Sequence, residues 1–216
     1  MANRGILVVV SGFSGAGKGT LMKHLLEKYD NYALSISATT RAPREGEEHG
    51  REYFFHTKQE FEELILHDAL IEYAQYVENY YGTPKAYVEK QLEAGKDVIL
   101  EIEIQGALKV KEKFPDTLLL FVTPPSAEEL KRRLINRGTE TKEVIDARIN
   151  RAEEELEFLP DYDYIVINDT VDEAVKDVDC IVKAERMKCS RNPELKNKFK
   201  GVVNKRYIRH TQNLLM

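Results

Sequence analysis

Apolar residues along this chain follow two alternating patterns, which predict short strands separated by helices. The predicted strands are Ile6–Val10, Leu34–Ser37, Asp97–Ile102, Thr117–Val122 and Tyr164–Ile167. Helical spacing of apolar positions covers about residues 18–29, 84–94, 108–114, 126–136 and 141–158, with further helices starting at 57 and 170. Strands that are apolar on both faces and alternate with helices are typical of a parallel sheet covered by helices on both sides. We therefore predict an α/β fold.

Three of the predicted helices begin with the capping-box pattern, in which a hydroxyl residue is followed three positions later by glutamate. These pairs are Thr57 with Glu60, Ser126 with Glu129 and Thr170 with Glu173. The polar stretch of residues 38–53 has no clear period and is predicted to be a loop or a set of short strands.

A glycine-rich segment joins the first predicted strand to the first helix. It reads Gly12-Phe13-Ser14-Gly15-Ala16-Gly17-Lys18-Gly19-Thr20. Glycines let backbone N–H groups converge on phosphate oxygens, the helix N-terminus adds partial positive charge, and Lys18 can reach the β- and γ-phosphates of a nucleotide. The hydroxyl that usually follows the lysine comes one residue later, which resembles nucleoside monophosphate kinases. The alternative is a glycine-rich turn with an incidental lysine.

A second anion-binding segment is indicated by two arginines three residues apart. The segment reads Ser37-Ala38-Thr39-Thr40-Arg41-Ala42-Pro43-Arg44-Glu45-Gly46. A guanidinium group can bind a phosphate through two parallel hydrogen bonds. Two arginines in one turn can therefore both contact the same anion. Taken alone, the pair also fits a solvated basic loop.

Later blocks of the chain complete a recognisable set. They are Ile71-Glu72-Tyr73-Ala74, Asn79-Tyr80-Tyr81-Gly82-Thr83, the strand that ends Glu101-Ile102-Glu103, Arg137-Gly138-Thr139-Glu140-Thr141, and Asn168-Asp169. In this order, and together with the two earlier segments, they resemble guanylate kinase over about residues 5–185. This family transfers a phosphoryl group from ATP to GMP in purine nucleotide metabolism.

The resemblance implies a kinase core, with a five-stranded parallel sheet flanked by helices, and two inserted parts. The core would comprise about residues 1–35, 85–125 and 150–185. A GMP-binding lobe would occupy about 36–84 and a helical lid about 126–149. Residues 186–216 would form a basic C-terminal extension that the family pattern does not explain.

By matching motif positions, the resemblance also implies which residues bind GMP. Its phosphate would be held by Arg41, Arg44, Tyr53 and Tyr81. Its guanine base would be read by Ser37, Glu72 and Thr83. The chemistry agrees, because an ionised carboxylate can accept both guanine N1–H and N2–H, whereas adenine presents a lone pair at N1.

Transfer between two nucleotides requires cations between their phosphates. The resemblance assigns this role to Lys18, Arg41, Arg137 and Arg148, with Arg133 as a further candidate. It also implies that Asn168 and Asp169 lie near the ATP base, where an ordinary turn is the alternative.

Two acidic residues, Glu101 and Glu103, stand where the family more often has aspartate. Because they are two positions apart on a predicted strand, their side chains are expected to point the same way. We expect Glu101 near the water shell of Mg²⁺ and Glu103 near GMP. Magnesium is expected to arrive as the ATP complex, near Thr20 and Glu101 and without direct protein ligands.

Composition limits the remaining possibilities. The 216 residues are 42% hydrophobic and 32% charged, which excludes a wholly disordered chain, and two cysteines exclude a disulfide scaffold. No apolar run is long enough to span a membrane and no secretory pattern opens the chain, so a cytoplasmic protein is expected. The net charge of −5 is uneven, since residues 186–216 carry nine basic residues and one glutamate.

Other functions remain open at this stage. One is a kinase for AMP, UMP or dTMP, against which Glu72 and the Arg41 segment argue. Another is a scaffold module of the same fold that has lost catalysis, although such modules usually lack the intact glycine loop. The basic extension could contact nucleic acid or acidic partners, but a disordered or docking extension is the simpler interpretation. The protein could be a monomer or a homodimer.

Overall fold

A computed structural model describes residues 4–76, 78–136 and 141–200 of this chain. The strands are β1 (Leu7–Gly12), β2 (Tyr32–Leu34), β3 (Ala38–Thr39), β4 (Phe54–Phe55), β5 (Leu70–Tyr76), β6 (Asn79–Pro84), β7 (Asp97–Glu101), β8 (Leu118–Thr123) and β9 (Tyr164–Ile167). The helices are α1 (Lys18–Lys28), α2 (Lys58–Leu66), α3 (Lys85–Glu93), α4 (Ile104–Lys113), α5 (Ala127–Asn136), α6 (Lys142–Leu156) and α7 (Val171–Arg186).

The larger sheet has five parallel strands in the order β2-β7-β1-β8-β9, as the resemblance implied. The middle strand pairs Val9 with Leu100 of β7 on one side and Leu119 of β8 on the other. All three residues are fully buried, because helices cover both faces of the sheet. The carboxyl ends of the strands therefore meet at one edge, where α/β proteins bind ligands.

A smaller sheet, β4-β3-β6-β5, lies between β2 and α3 in the sequence. It contains a hairpin of β5 and β6, with a register shift between Leu70 and Tyr73. Helix α2 packs on this sheet through Phe61, which contacts Ala38 and Leu70 and stacks on Tyr80 at a ring distance of 5.2 Å. The predicted capping box of α2 is present, since Thr57 and Glu60 bond each other's backbone N–H.

The sequence-based prediction was wrong about the second strand and about the start of the fourth helix. The second strand is Tyr32–Leu34 and not Leu34–Ser37, because it pairs with Asp97–Ile99 and residues 38–39 then pair in the smaller sheet. Helix α4 begins at Ile104, four residues before the predicted start, with Glu103 as its N-cap residue. Glu103 therefore does not continue the strand of Glu101, and the two side chains are not neighbours on one strand face.

The chain divides into two compact units, Met1–Asp179 and Cys180–Met216. Every site described below belongs to the first unit. In the described parts of both units, we find no helix with the length and apolar character that crossing a membrane requires.

Candidate active site

The glycine loop runs from the carboxyl end of β1 into α1. Gly12, Gly15 and Gly17 have φ values of 137°, 92° and 86°. A Cβ atom on Gly12 would lie 2.0 Å from the carbonyl oxygen of Val122, so only glycine fits the close approach to β8. Gly17 is the N-cap residue of α1 and offers no side-chain cap, which leaves the first N–H groups of the helix available to an anion.

The side chain of Lys18 folds back over this loop. Its Nζ donates to the carbonyl oxygens of Gly12 at 2.7 Å and Phe13 at 3.1 Å. Glu101, at the end of β7, lies beside the start of α1, because its Oε2 is 3.9 Å from the place a Cβ of Gly19 would take. Burial raises the pKa of the Glu101 carboxyl above its ordinary value, and the Lys18 charge opposes that rise.

Asn168 is hydrogen-bonded to the backbone of the glycine loop. Its side chain is in a residue only 2% exposed, and Nδ2 donates to the Ala16 carbonyl at 2.7 Å. Its Oδ1 finds no hydrogen-bond partner among the described residues. The residue predicted to lie near the ATP base thus holds the backbone of the loop and keeps one buried acceptor open. The carbonyl of Asp169 lies 3.4 Å from Nη2 of Arg133.

Two arginines from α5 and α6 reach the same loop. Arg148 donates through Nη1 to the hydroxyl of Ser14. Arg133 is held by Glu129, whose Oε1 accepts from Nε at 2.7 Å, and its Nη1 is 3.5 Å from the Ala16 carbonyl. Arg137, the other predicted lid arginine, lies outside the described residues.

A second cluster forms on the smaller sheet around Arg41. Its guanidinium lies over the ring of Tyr53, 5.3 Å from the centroid, and the Tyr53 ring is 6.3 Å from that of Tyr81. Both Nη2 hydrogen bonds of Arg41 go to the carboxylate of Glu47 at 2.9 Å. Arg44 is exposed at the end of the same segment.

A third group joins the two strands of the hairpin. Thr83 on β6 is fully buried and donates its hydroxyl to Oε1 of Glu72 on β5 at 2.6 Å. Burial raises the pKa of the Glu72 carboxyl, while the Thr83 hydrogen bond and the Lys109 charge act in the opposite direction. Ser37 is half-buried and directly precedes β3.

The structure therefore brings the predicted residues together in three groups: the loop with Arg148 and Asn168, the cluster around Arg41, and the pair of Glu72 and Thr83. The carboxylate of Glu103 stands apart, since it is 75% exposed and accepts from Nη2 of Arg151 at 3.0 Å. Sequence reasoning missed Glu47 and Arg151. Only the position of Glu47 three residues after Arg44 could have suggested its role, because a turn of that length brings both ends together.

A five-stranded parallel sheet with this glycine loop between β1 and α1 defines a P-loop kinase. A sequence profile of the guanylate kinase family matches residues 4–185. Guanylate kinase of Caldanaerobacter subterraneus is 53% identical over 192 residues, which cover 89% of this chain and 93% of that protein. Guanylate kinase of Clostridium perfringens is 54% identical, with 89% of both chains covered.

A solved structure agrees with these relatives. The crystal structure of guanylate kinase from Anaplasma phagocytophilum matches with a TM-score of 0.67 and 33% identity, over 88% of this chain and 90% of that one. This chain belongs to the guanylate kinase family. It is an ATP:GMP phosphotransferase, which transfers the γ-phosphoryl group of ATP to GMP and forms ADP and GDP.

Proposed function

We propose that the smaller sheet binds GMP, with its base against Glu72 and its phosphate against Arg41. The observation that carries this proposal is the partly buried hydrogen bond from Thr83 to Glu72. Because Thr83 occupies only part of one carboxylate oxygen, Glu72 keeps acceptor positions for guanine N1–H and N2–H. A hydroxyl such as that of Ser37 can donate to O6, and Glu103 can reach the base only after leaving Arg151.

The phosphate of GMP is proposed to bind at the arginine and tyrosine cluster. Arg41 and Arg44 supply charge and N–H donors, and the hydroxyls of Tyr53 and Tyr81 supply further donors. The position of the Arg41 guanidinium over the Tyr53 ring supports this proposal, because a stacked guanidinium is already oriented before the ligand arrives.

The ionisation of Glu72 predicts a pH dependence of GMP use. Guanine donates to the ionised carboxylate, and burial raises the pKa of that group. Binding is therefore complete above the folded-state pKa and is lost as pH falls through it. We expect an acid limb of kcat/KM for GMP that lies above the ordinary glutamate pKa. The measurement is a pH profile of the wild type against Glu72→Gln, which lacks that titration, while the GMP phosphate titrates equally in both. A wild-type profile parallel to that of the variant would contradict this prediction.

ATP is proposed to bind along the loop of residues 12–20, with its β- and γ-phosphates on the N-terminus of α1 and on Lys18. The Lys18 ammonium already points at the loop carbonyls, so a phosphate can replace those weaker acceptors. Asn168, which holds the Ala16 carbonyl, and Asp169 would lie beside the adenine base. Arg148, with Arg137, would stabilise the charge on the phosphoryl group in the transition state of transfer.

The donors near the loop also fit Mg²⁺ carried by ATP. Magnesium prefers oxygen ligands, keeps several waters and binds through one or two protein groups plus phosphate oxygens. Thr20 supplies a hydroxyl on the first turn of α1, and Glu101 supplies a carboxylate beside Gly19. Thr20 and Glu101 would hold the ion or its waters, and the ion would supply positive charge that neutralises part of the charge on the phosphates.

The wider organisation follows the same proposal. The core would comprise about residues 1–35, 85–125 and 150–185, with a GMP lobe at 36–84, a lid at 126–149 and an extension at 186–216. A monomer or homodimer in the cytoplasm, without a nucleic-acid function for the extension, stays a prediction. Sedimentation, cell fractionation and RNA binding by a chain lacking residues 190–216 would test these points.

The selectivity for GMP is tested by measuring ADP formation from ATP with GMP, AMP, UMP or dTMP as acceptor. A site that matches guanine donors with a half-buried carboxylate is expected to favour GMP over AMP by about 10⁴-fold in kcat/KM. Comparable rates with AMP would contradict the proposed role of Glu72, and rates with UMP or dTMP would contradict a purine site.

A further inference from the structure

The carboxylate of Glu47 accepts hydrogen bonds from both arginines of the cluster around Arg41. Its two oxygens each accept a hydrogen bond from Nη2 of Arg41 at 2.9 Å. The two side chains are only 16% and 18% exposed, so this contact differs from an ordinary surface ion pair. Side chains that are largely removed from water interact more strongly, because solvent screens their charges less.

The same carboxylate also fixes the turn that carries the second arginine. The Arg44 N–H donates to Oε2 of Glu47 at 2.8 Å, and the Glu47 N–H donates to the Arg44 carbonyl at 3.1 Å. Gly46 completes the turn with a φ of 81°, which suits the third position of a type II turn. One side chain therefore determines the place of both the Arg41 guanidinium and the Arg44 backbone.

The remaining hydrogen bonds of Arg41 leave two of its N–H donors for a ligand. Nη1 donates to the Ala42 carbonyl at 2.8 Å, and Nη2 is fully used by Glu47. Within the described part of the chain, the Nε–H and the second hydrogen of Nη1 have no acceptor. The Tyr53 and Phe55 rings lie 5.3 and 5.8 Å from the guanidinium carbon, which restricts its rotation further.

We propose that Glu47 is a positioning residue for GMP, which holds Arg41 so that an unused N–H donor of its guanidinium meets the phosphate. The proposal rests on the role of Arg41 given above. The Arg44 N–H and the Arg41 charge keep the pKa of the Glu47 carboxyl below its ordinary value, so the group is ionised at neutral pH. GMP binds beside this ion pair and does not displace it.

If Glu47 competed with the phosphate for Arg41, neutralising Glu47 would change the affinity for GMP in the opposite direction. If Glu47 only competed with phosphate for Arg41, its neutralisation would free a cation and remove a repelling charge, and GMP would bind more tightly. If Glu47 positions Arg41, its neutralisation loosens the guanidinium and GMP binds more weakly, although the site has become more positive.

The test compares Glu47→Gln with Glu45→Gln, which makes the same change at an exposed residue of the same segment. Three constants are measured for each variant: KM for GMP, KM for ATP, and the inhibition constant of guanosine, which lacks the phosphate. For Glu47→Gln we expect KM for GMP to rise about tenfold, with the ATP and guanosine constants within about twofold of wild type. For Glu45→Gln we expect all three constants to stay near wild type.

A variant in the background of Arg41→Lys separates this inference from the site assignment. If Glu47 acts through Arg41, adding Glu47→Gln to Arg41→Lys changes KM for GMP by less than about twofold, because the positioned group is already lost. An unchanged or lower KM for GMP in Glu47→Gln overturns the inference. Wild-type use of GMP by Arg41→Lys alone would instead overturn the assignment of the phosphate site, and the inference with it.

Discussion

Replacing Arg148 by alanine is expected to slow the transfer of the phosphoryl group from ATP to GMP by about 10³-fold in a single turnover. Phosphoryl transfer depends on charge that is placed around the moving group, and Arg148 reaches the loop that would hold the ATP phosphates. Its hydrogen bond to Ser14 fixes the guanidinium at that loop. Because the effect concerns the transition state, the dissociation constant of GMP should change little.

The control for this prediction is Arg132→Ala. Arg132 lies on α5, is 64% exposed and pairs with Glu129. Its replacement by alanine therefore removes the same side chain at a position away from the loop. Its single-turnover rate should stay within about twofold of wild type, as is usual for an exposed side chain. A loss of less than threefold for Arg148→Ala would mean that Arg148 holds the loop in place and does not stabilise the transferred group.

Replacing Glu72 by glutamine is expected to lower kcat/KM for GMP by about 10- to 100-fold, or about 1–3 kcal/mol. A glutamine side chain has one oxygen and one NH₂ group. Its oxygen can accept from one guanine donor, but its NH₂ then faces the other donor and leaves it unsatisfied. The Thr83 hydroxyl can still donate to the glutamine oxygen, so the hairpin itself should remain folded.

Steady-state kinetics with GMP measure this effect, and Glu62→Gln is the matched control. Glu62 lies on the exposed side of α2 in the same sheet unit, 54% exposed. It should show wild-type constants for both nucleotides. Unchanged GMP efficiency in Glu72→Gln would show that guanine is read elsewhere. A rise of KM for ATP in that variant would point to disturbance of the fold.

The core and the glycine loop could be predicted from the sequence because their signals are local. The run Ile6–Val10 is apolar at every position, as a central parallel strand requires, and the glycines follow it directly. The same holds for the capping box at Thr57 and Glu60, which needs only four residues. These features depend little on distant parts of the chain.

The hairpin of β5 and β6 could not be predicted in the same way. Its strands contain Glu72, Tyr81 and Thr83, the polar residues of the proposed site, which interrupt the alternation that marks a strand. Site residues break the pattern because they serve a ligand and not the sheet. The prediction that Glu103 shares a strand face with Glu101 was wrong for a related reason. The alternation of acidic and apolar residues continues through Glu103, although the strand ends at Glu101 and α4 begins at Ile104.

The smaller sheet is joined to the core at two chain crossings, after Leu34 and at Pro84, where β6 passes directly into α3. The hydroxyl of Tyr87, on the first turns of α3, donates to the Leu34 carbonyl at 3.3 Å and so ties the two crossings together. Helix α4 also contacts the smaller sheet, since Nζ of Lys113 donates to Asp68 at 2.6 Å and to the Leu70 carbonyl at 3.4 Å. A rotation of the smaller sheet relative to the five-stranded sheet would therefore have to change the backbone at residues 35–37 and at the junction of β6 and α3, and would also have to alter these contacts with α4.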